Sequence, residues 1–209
     1  MTTDSTQQHP VADLNSRDNL NDLLDELIEK PLEFDRIKDR IEDVFMQERT
    51  IMILDLSGFT RTTQIEGILP FILMIYEMQK LSVPVVEENR GILVRADADN
   101  LTCILDSVED AIEAGRTITD RLESANVILP ESRDLYASIG IGHGNILNVG
   151  NEAIFGNQVN QASKLGEDIA QKGEVLLTEA AYHQIADNVD IKCEEHKINI
   201  SGVELTYYS

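Results

Sequence analysis

The chain has 209 residues and a formal net charge of −21, from 17 basic and 38 acidic side chains. Such a negative field repels phosphate backbones and anionic lipid surfaces, so the composition argues against nucleic acid and membranes as partners. The hydrophobic fraction of 42% and the length predict one globular domain with an extension. Two widely spaced cysteines and an N-terminus without a signal-peptide pattern predict a protein of the reducing cytoplasm.

The first 48 residues differ from the rest in composition and periodicity. Residues 1–18 are polar and predict a disordered tail. In residues 19–48, apolar side chains recur at three- and four-residue spacing on both sides of Pro31, which predicts a helical extension. Two roles are open for this extension: packing on its own domain, or dimerisation and signal transmission from a regulatory partner.

The main domain, residues 49–209, opens with an apolar run that ends in an acid. Ile51 to Leu54 predict a strand buried on both faces, and Asp55 follows directly. A helix is predicted over residues 64–88, with Pro70 tolerated in its first turn. The longest apolar run of the chain lies here, at residues 68–76, and is too short to span a bilayer.

An acidic turn at residues 97–100 lies between two short apolar stretches, which predicts a β-hairpin. Placed beside the first strand, this hairpin brings Asp99 close to Asp55. Two converging carboxylates suit a hard cation such as Mg²⁺, which is typically held by one or two carboxylates together with substrate phosphates. Asp97 is a further acid of the same turn, and a solvated position is expected for it.

The second half of the chain alternates predicted helices and strands. Ser107 is placed to cap a helix. The next predicted elements are a strand over 135–141, a turn at Gly142-His143-Gly144, a strand at 146–149, a helix over 157–170, a strand at 174–177, a helix over 178–186 and a terminal hairpin turned at Ser201-Gly202. Strands interleaved with helices, some strands following one another directly, indicate an α+β sandwich.

Three stretches, in order along the chain, resemble the signatures of class III adenylyl/guanylyl cyclase catalytic domains. They are Asp55-Leu-Ser-Gly-Phe-Thr60, the segment from Gly91 to Asp99, and the segment from Ala153 to Leu165. The resemblance covers about residues 50–209. It implies a ferredoxin-like βαββαβ sandwich of the nucleotidyl cyclase type with an added hairpin.

The resemblance also implies a function and a set of site residues. It implies conversion of ATP or GTP to a 3′,5′-cyclic nucleotide and pyrophosphate, with two Mg²⁺ or Mn²⁺ ions, at the interface of a homodimer. The implied residues are Asp55 and Asp99 for the metal, Asn160 and Lys164 for catalysis, and Arg95, Ala153, Phe59 and Thr60 for substrate binding.

Three of these positions depart from the family pattern. Arg95 stands where the family has a purine-reading lysine, a change that conserves the charge. Lys164 stands where the family has an arginine, so a point charge replaces a bidentate fork for phosphate oxygens. Ala153 stands where the family has a polar reader of the base, and it can make no polar contact. No basic residue follows Lys197 in the last strand. The alternative hypothesis is therefore a catalytically silent cyclase-homology module that binds nucleotide or a partner.

A third hypothesis is a phosphoacceptor domain of the response-regulator kind, because Asp55 ends a buried strand. It requires an acidic pair beside a preceding strand end, but Glu42-Asp43 lie in a helical pattern. We therefore set this third reading aside.

Overall fold

A computed structural model describes residues 14–57, 67–127, 134–200 and 203–209. The helices are α1 (Arg17–Glu29), α2 (Phe34–Phe45), α3 (Ile68–Glu88), α4 (Val108–Asn126), α5 (Asn157–Ser163) and α6 (Glu179–Ile185), with a 3₁₀ turn at Pro31–Glu33 and a π-helical turn at Lys164–Ile169. The strands are β1 (Met46–Ser57), β2 (Ile92–Asp97), β3 (Asn100–Leu105), β4 (Tyr136–Val149), β5 (Ala153–Phe155), β6 (Val175–Thr178), β7 (Glu195–Ile200) and β8 (Val203–Tyr208).

The N-terminal extension forms a helical hairpin of α1 and α2. Helix α1 begins at Arg17, inside the range predicted as a tail, because the Ser16 hydroxyl accepts a hydrogen bond from the Asn19 backbone N–H at 3.3 Å. Pro31 ends the helix and starts the 3₁₀ turn. The apolar faces of the two helices form a core with the end of β4. Its buried members are Leu20, Leu23, Ile37, Ile41, Phe45 and Val149.

All eight strands belong to one sheet in the order β2-β3-β1-β4-β6-β8-β7, with β5 added beside β4. Strand β1 lies in the middle and pairs antiparallel with β3 and β4. The unit β1-α3-β2-β3-α4-β4 has the strand order of a ferredoxin-like βαββαβ fold, and β7 and β8 form the added antiparallel hairpin. The predicted fold class is confirmed.

Alternation along β1 assigns its side chains to two different cores. Met52, Leu54 and Leu56 pack in the main core, which includes residues of α3, α4 and α6. Ile51 and Ile53 belong instead to a smaller cluster that includes Ala162 of α5. Each fully buried aliphatic side chain of this kind contributes about 1.5–3 kcal/mol to folding. Asp55 continues the alternation of Ile51 and Ile53, so it lies on the α5 side of the sheet.

Helix α3 is longer and more apolar than the run counted in the sequence. Its 21 residues and a mean hydropathy of 1.3 make it long and apolar enough to cross a membrane by length and composition alone. Its buried positions, which include Met74, Met78, Val85 and Val86, pack in the main core. The N-terminal half carries large exposed apolar side chains: Ile68, Leu69, Ile72, Leu73 and Tyr76.

The predicted turn at Gly142-His143-Gly144 is wrong, because these residues lie inside the continuous strand β4. His143 pairs with Thr50 of β1, and its Nδ1 lies 3.0 Å from the Thr50 hydroxyl. Position 142 requires glycine because a neighbouring helix packs closely there, not because the chain reverses. A Cβ atom there would lie 2.7 Å from the backbone carbonyl oxygen of Gln158 in α5.

Candidate functional site

A cavity of about 250 Å³ lies on the α5 side of the sheet. Arg95 of β2, Ala153 of β5 and Asn160 of α5 line it together, although they are distant in sequence. Its other lining residues are Ile53, Val94, Thr102, Glu152, Ile154, Phe155, Val159, Ser163 and Glu167. The lining combines apolar side chains with charged and hydroxyl groups that can form hydrogen bonds to a ligand.

Arg95 reaches the cavity from an irregular edge of the sheet. The register between β2 and β3 shifts between Leu93 and Arg95, which is a β-bulge or similar irregularity. The Arg95 guanidinium forms an ion pair with Asp97 on the same strand. Both side chains are largely exposed, so this pair is weak and can be exchanged for a ligand.

A rigid turn carries the chain from β4 into Ala153. The buried side chain of Asn148 accepts a hydrogen bond from the Asn151 backbone N–H at 3.1 Å and donates one to the Asn151 side chain at 2.7 Å. Asn151 adopts a left-handed conformation with φ of 58°, which asparagine tolerates better than most residues. The Glu152 N–H then donates to the Val149 carbonyl at 2.9 Å. The position of Glu152 at the cavity is therefore fixed by the turn.

The predicted helix over residues 157–170 changes its winding at Lys164. Helix α5 ends at Ser163, and the following π-helical turn includes a hydrogen bond from the Ala170 N–H to the Leu165 carbonyl at 2.7 Å. Close packing on the sheet accompanies this change, since a Cβ at Gly166 would lie 2.9 Å from the Ile53 carbonyl oxygen.

Lys164 lies one helical turn after Asn160, and its backbone N–H donates to the Asn160 carbonyl, but the two side chains have different surroundings. Asn160 is exposed and lines the cavity. Lys164 is not among the described lining residues, and its ammonium pairs with Asp168 at 2.5 Å. In the same segment, the Ser163 hydroxyl donates to Glu167 at 2.7 Å.

Asp55 and Asp99 are brought together by the pairing of β1 with β3. Asp55 lies opposite Asn100 in the register, and the Leu56 N–H donates to the Asp99 carbonyl at 3.0 Å. With its nitrogen turned toward the two acceptors, the Asn100 amide donates to Asp55 Oδ1 at 2.7 Å and to the Leu54 carbonyl at 3.2 Å.

The Asp55 carboxylate is electrostatically strained. Partial burial, followed by the negative charges of Asp99, Glu167 and Asp168, raises the pKa of Asp55 from the ordinary value of 3.8 to about 7. A divalent cation would remove this repulsion, and carboxylate oxygens are ligands that Mg²⁺ and Mn²⁺ accept. The chemistry of the Asp55–Asp99 pair therefore fits a hard cation. Among the described residues no group of three or more potential His, Cys, Asp or Glu ligands occurs.

Four polar or charged residues of the cavity are not predicted from the sequence: Thr102, Glu152, Ser163 and Glu167. A signal was available for Glu152, which directly precedes Ala153, and for Ser163, which lies three residues after Asn160. Glu167 depends on the π-helical turn, for which the sequence gives no direct sign. The predicted substrate residues Phe59 and Thr60 lie outside the described residues.

Comparison with known proteins identifies the fold. No family model matches the sequence. The chain is similar to the serine/threonine-protein kinase pkn2 of Myxococcus xanthus, with 29% identity over 134 residues, which are 64% of this chain and 16% of the kinase. It is also similar to "Putative adenylate cyclase 3" of Rhizobium meliloti, with 23% identity over 150 residues, covering 72% and 25% of the two chains. The chain thus spans a quarter or less of the length of these curated relatives.

The similarity to solved structures covers nearly the whole of each compared domain. An adenylate/guanylate cyclase/hydrolase from Silicibacter pomeroyi matches with a TM-score of 0.66 and 19% identity, over 78% of this chain and 95% of that one. The guanylate cyclase domain of RhGC from Catenaria anguillulae, solved in complex with GTP, matches with a TM-score of 0.65 and 12% identity, over 78% and 94%. The chain has the fold of class III adenylyl/guanylyl cyclase catalytic domains, as the sequence motifs predicted.

Proposed function

We propose that this protein is a nucleotidyl cyclase, which converts a nucleoside triphosphate to a 3′,5′-cyclic nucleotide and pyrophosphate. The observation that carries the proposal is the cavity shared by Arg95, Ala153 and Asn160. These three positions are the ones that the cyclase resemblance assigns to the base and the ribose. A cavity with apolar walls and a few polar groups is the usual form of such a binding site.

Each residue has a defined part in the proposed reaction. The ribose 3′-oxygen attacks the α-phosphate, and pyrophosphate leaves. Asn160 orients the ribose, which keeps the attacking oxygen close to the phosphorus. Lys164, once released from Asp168, neutralises charge on the phosphates. Asp55 and Asp99 would hold the divalent ions, which supply Lewis-acid activation of the 3′-oxygen and charge neutralisation when bound.

The proposed assembly is a cytoplasmic homodimer in which one copy supplies the carboxylates and its partner supplies the cavity. In support, the fold is that of domains for which the sequence resemblance implies this arrangement. Catalysis would then depend on protein concentration whenever the dimer is weak.

The direct test is an assay of the purified protein with ATP, GTP, CTP and UTP, each with Mg²⁺ or Mn²⁺, with products resolved by mass. We expect a cyclic product that is lost in Asp55→Ala and in Asp99→Ala. Turnover equal to the wild type in either variant would contradict the metal assignment. Absence of product from all four nucleotides, over a range of protein concentrations, would contradict the cyclase proposal.

The second candidate is a catalytically silent module that binds nucleotide without turnover. Two observations favour it: Ala153 offers no polar group to a base, and Lys164 is paired with Asp168 away from the cavity. The match to 16% of a much longer protein kinase also agrees with the use of such a domain as one part of a larger chain. Nucleotide binding without any cyclic product would support this candidate.

A further inference from the structure

Glu152 is the unused charged group of the cavity. Among the described residues, its carboxylate has neither a hydrogen-bond nor an ion-pair partner, although it lines the cavity next to Ala153. The other charged lining groups are engaged: Glu167 accepts the Ser163 hydroxyl at 2.7 Å, and Arg95 is paired with Asp97. An acceptor held at a cavity without a partner is available to a ligand that donates hydrogen bonds.

Hydrogen bonds hold the backbone of the turn that carries Glu152. Asn148 is 1% exposed and fixes Asn151 through two hydrogen bonds, and the Glu152 N–H is bonded to Val149. A residue on such a turn keeps its backbone position when a ligand enters. Glu152 is exposed, so its side chain can reach into the cavity from this fixed backbone position, and a ligand that leaves its carboxylate unpaired there is disfavoured.

We propose that Glu152 is a specificity-determining residue, and that it selects a guanine base; this inference rests on the proposed function. A carboxylate accepts two adjacent hydrogen bonds. The N1–H and 2-amino group of guanine are neighbouring donors, whereas adenine presents the bare N1 acceptor at the corresponding edge. Arginine is a good donor to the guanine O6 oxygen, and Arg95 lines the same cavity. Ala153 then needs no polar group of its own, because the preceding residue supplies the acceptor.

The test is a binding measurement with 3′-deoxy nucleoside triphosphates, which lack the attacking hydroxyl and cannot be cyclised. Titration calorimetry in Mg²⁺ compares the 3′-deoxy forms of GTP, ITP and ATP. Hypoxanthine keeps N1–H and O6 but lacks the 2-amino group, so the ITP analogue isolates that donor. We expect the GTP analogue to bind about tenfold more tightly than the ITP analogue, which lacks one donor to Glu152, and about a hundredfold more tightly than the ATP analogue, which lacks both, because each lost bond to a charged acceptor weakens binding by about tenfold.

Glu152→Gln should reduce the preference for the GTP analogue to about twofold or less, because the amide offers one acceptor oxygen in place of two. Glu113→Gln, which removes the same charge from an exposed site on α4, is the matched control and should leave the preference unchanged. Equal binding of the three analogues, or a preference that survives Glu152→Gln, overturns the role of Glu152 and leaves the cyclase proposal standing. Failure of all three to bind overturns both proposals.

Discussion

Replacing Asp55 with asparagine is expected to stabilise the protein at neutral and alkaline pH in the absence of divalent metal ions. The folded pKa of Asp55, about 7, lies above the ordinary value of 3.8. Ionisation of this group therefore weakens the folded state. The destabilisation is absent below the unfolded pKa, grows as the pH rises between about 4 and 7, and is complete above the folded pKa.

The size of the effect follows from the pKa difference. About three pKa units at about 1.36 kcal/mol each set an upper limit of about 4 kcal/mol. Two features reduce it: Asp55 is only partly buried, so water screens its charge, and the Asn100 amide donates a hydrogen bond that favours the ionised form. We expect Asp55→Asn to raise the free energy of unfolding by about 1–2 kcal/mol at pH 8.

The assay is urea denaturation in EDTA between pH 5 and pH 8. The lower limit stays above the isoelectric point of about 4.4, where loss of net charge favours precipitation. Asp120→Asn removes the same charge from an exposed position on α4 and serves as the control. The advantage of Asp55→Asn should shrink toward pH 5. A variant less stable than the wild type at pH 8, or an advantage independent of pH, would refute the reasoning.

Three further predictions concern the helix that carries the candidate catalytic residues. Gly140→Ala should lower the free energy of unfolding by about 3 kcal/mol in a urea titration, since the added methyl group would overlap the backbone carbonyl of Ala162. Gly115→Ala is the control and should cost much less, because the nearest atom to its added methyl group is a side-chain methyl 3.2 Å away. Asp168→Asn should tighten binding of a 3′-deoxy triphosphate about two- to fivefold in calorimetry, because it releases Lys164 from an exposed ion pair; unchanged affinity would show that Lys164 does not meet the phosphates. Lys164→Arg should raise kcat/KM for cyclisation, since arginine binds phosphate oxygens through two bonds, and unchanged turnover would indicate that this side chain faces solvent.

The sequence predicts this fold well wherever local pattern and tertiary packing agree. The apolar run of β1, the cap at Ser107 and the interruption at Pro31 are local signals, and each feature occurs in the structure. The boundary before β1 is wrong, because the strand begins at Met46, within the predicted helical extension of residues 19–48. The Ser107 hydroxyl, for example, accepts from the Asp110 N–H at 3.1 Å. Such signals act within a few residues and survive in any tertiary context.

The failures share a different cause, which is close approach between elements distant in sequence. The sequence predicts a turn at Gly142, but this residue lies inside β4, where the absence of a side chain lets the backbone of α5 pack closely. The change from α- to π-helix after Lys164 likewise accompanies close packing of Gly166 against β1, and the Lys164–Asp168 ion pair lies in the same segment. The cavity role of Glu152 depends on the fold that brings β5 beside β4. None of these contacts has a periodicity that a single sequence displays.

The end of strand β4 connects the N-terminal hairpin to the candidate cavity through a short segment of chain. Val149 is part of the hairpin core, and the next residue, Gly150, donates its N–H to the Asn15 side chain at 2.8 Å. Glu152 lines the cavity only two residues further on. A protein or domain that displaces α1 would therefore act through this short segment on the lining of the candidate cavity. A partner bound at the N-terminal hairpin would then alter the cavity by displacing the turn that carries Glu152.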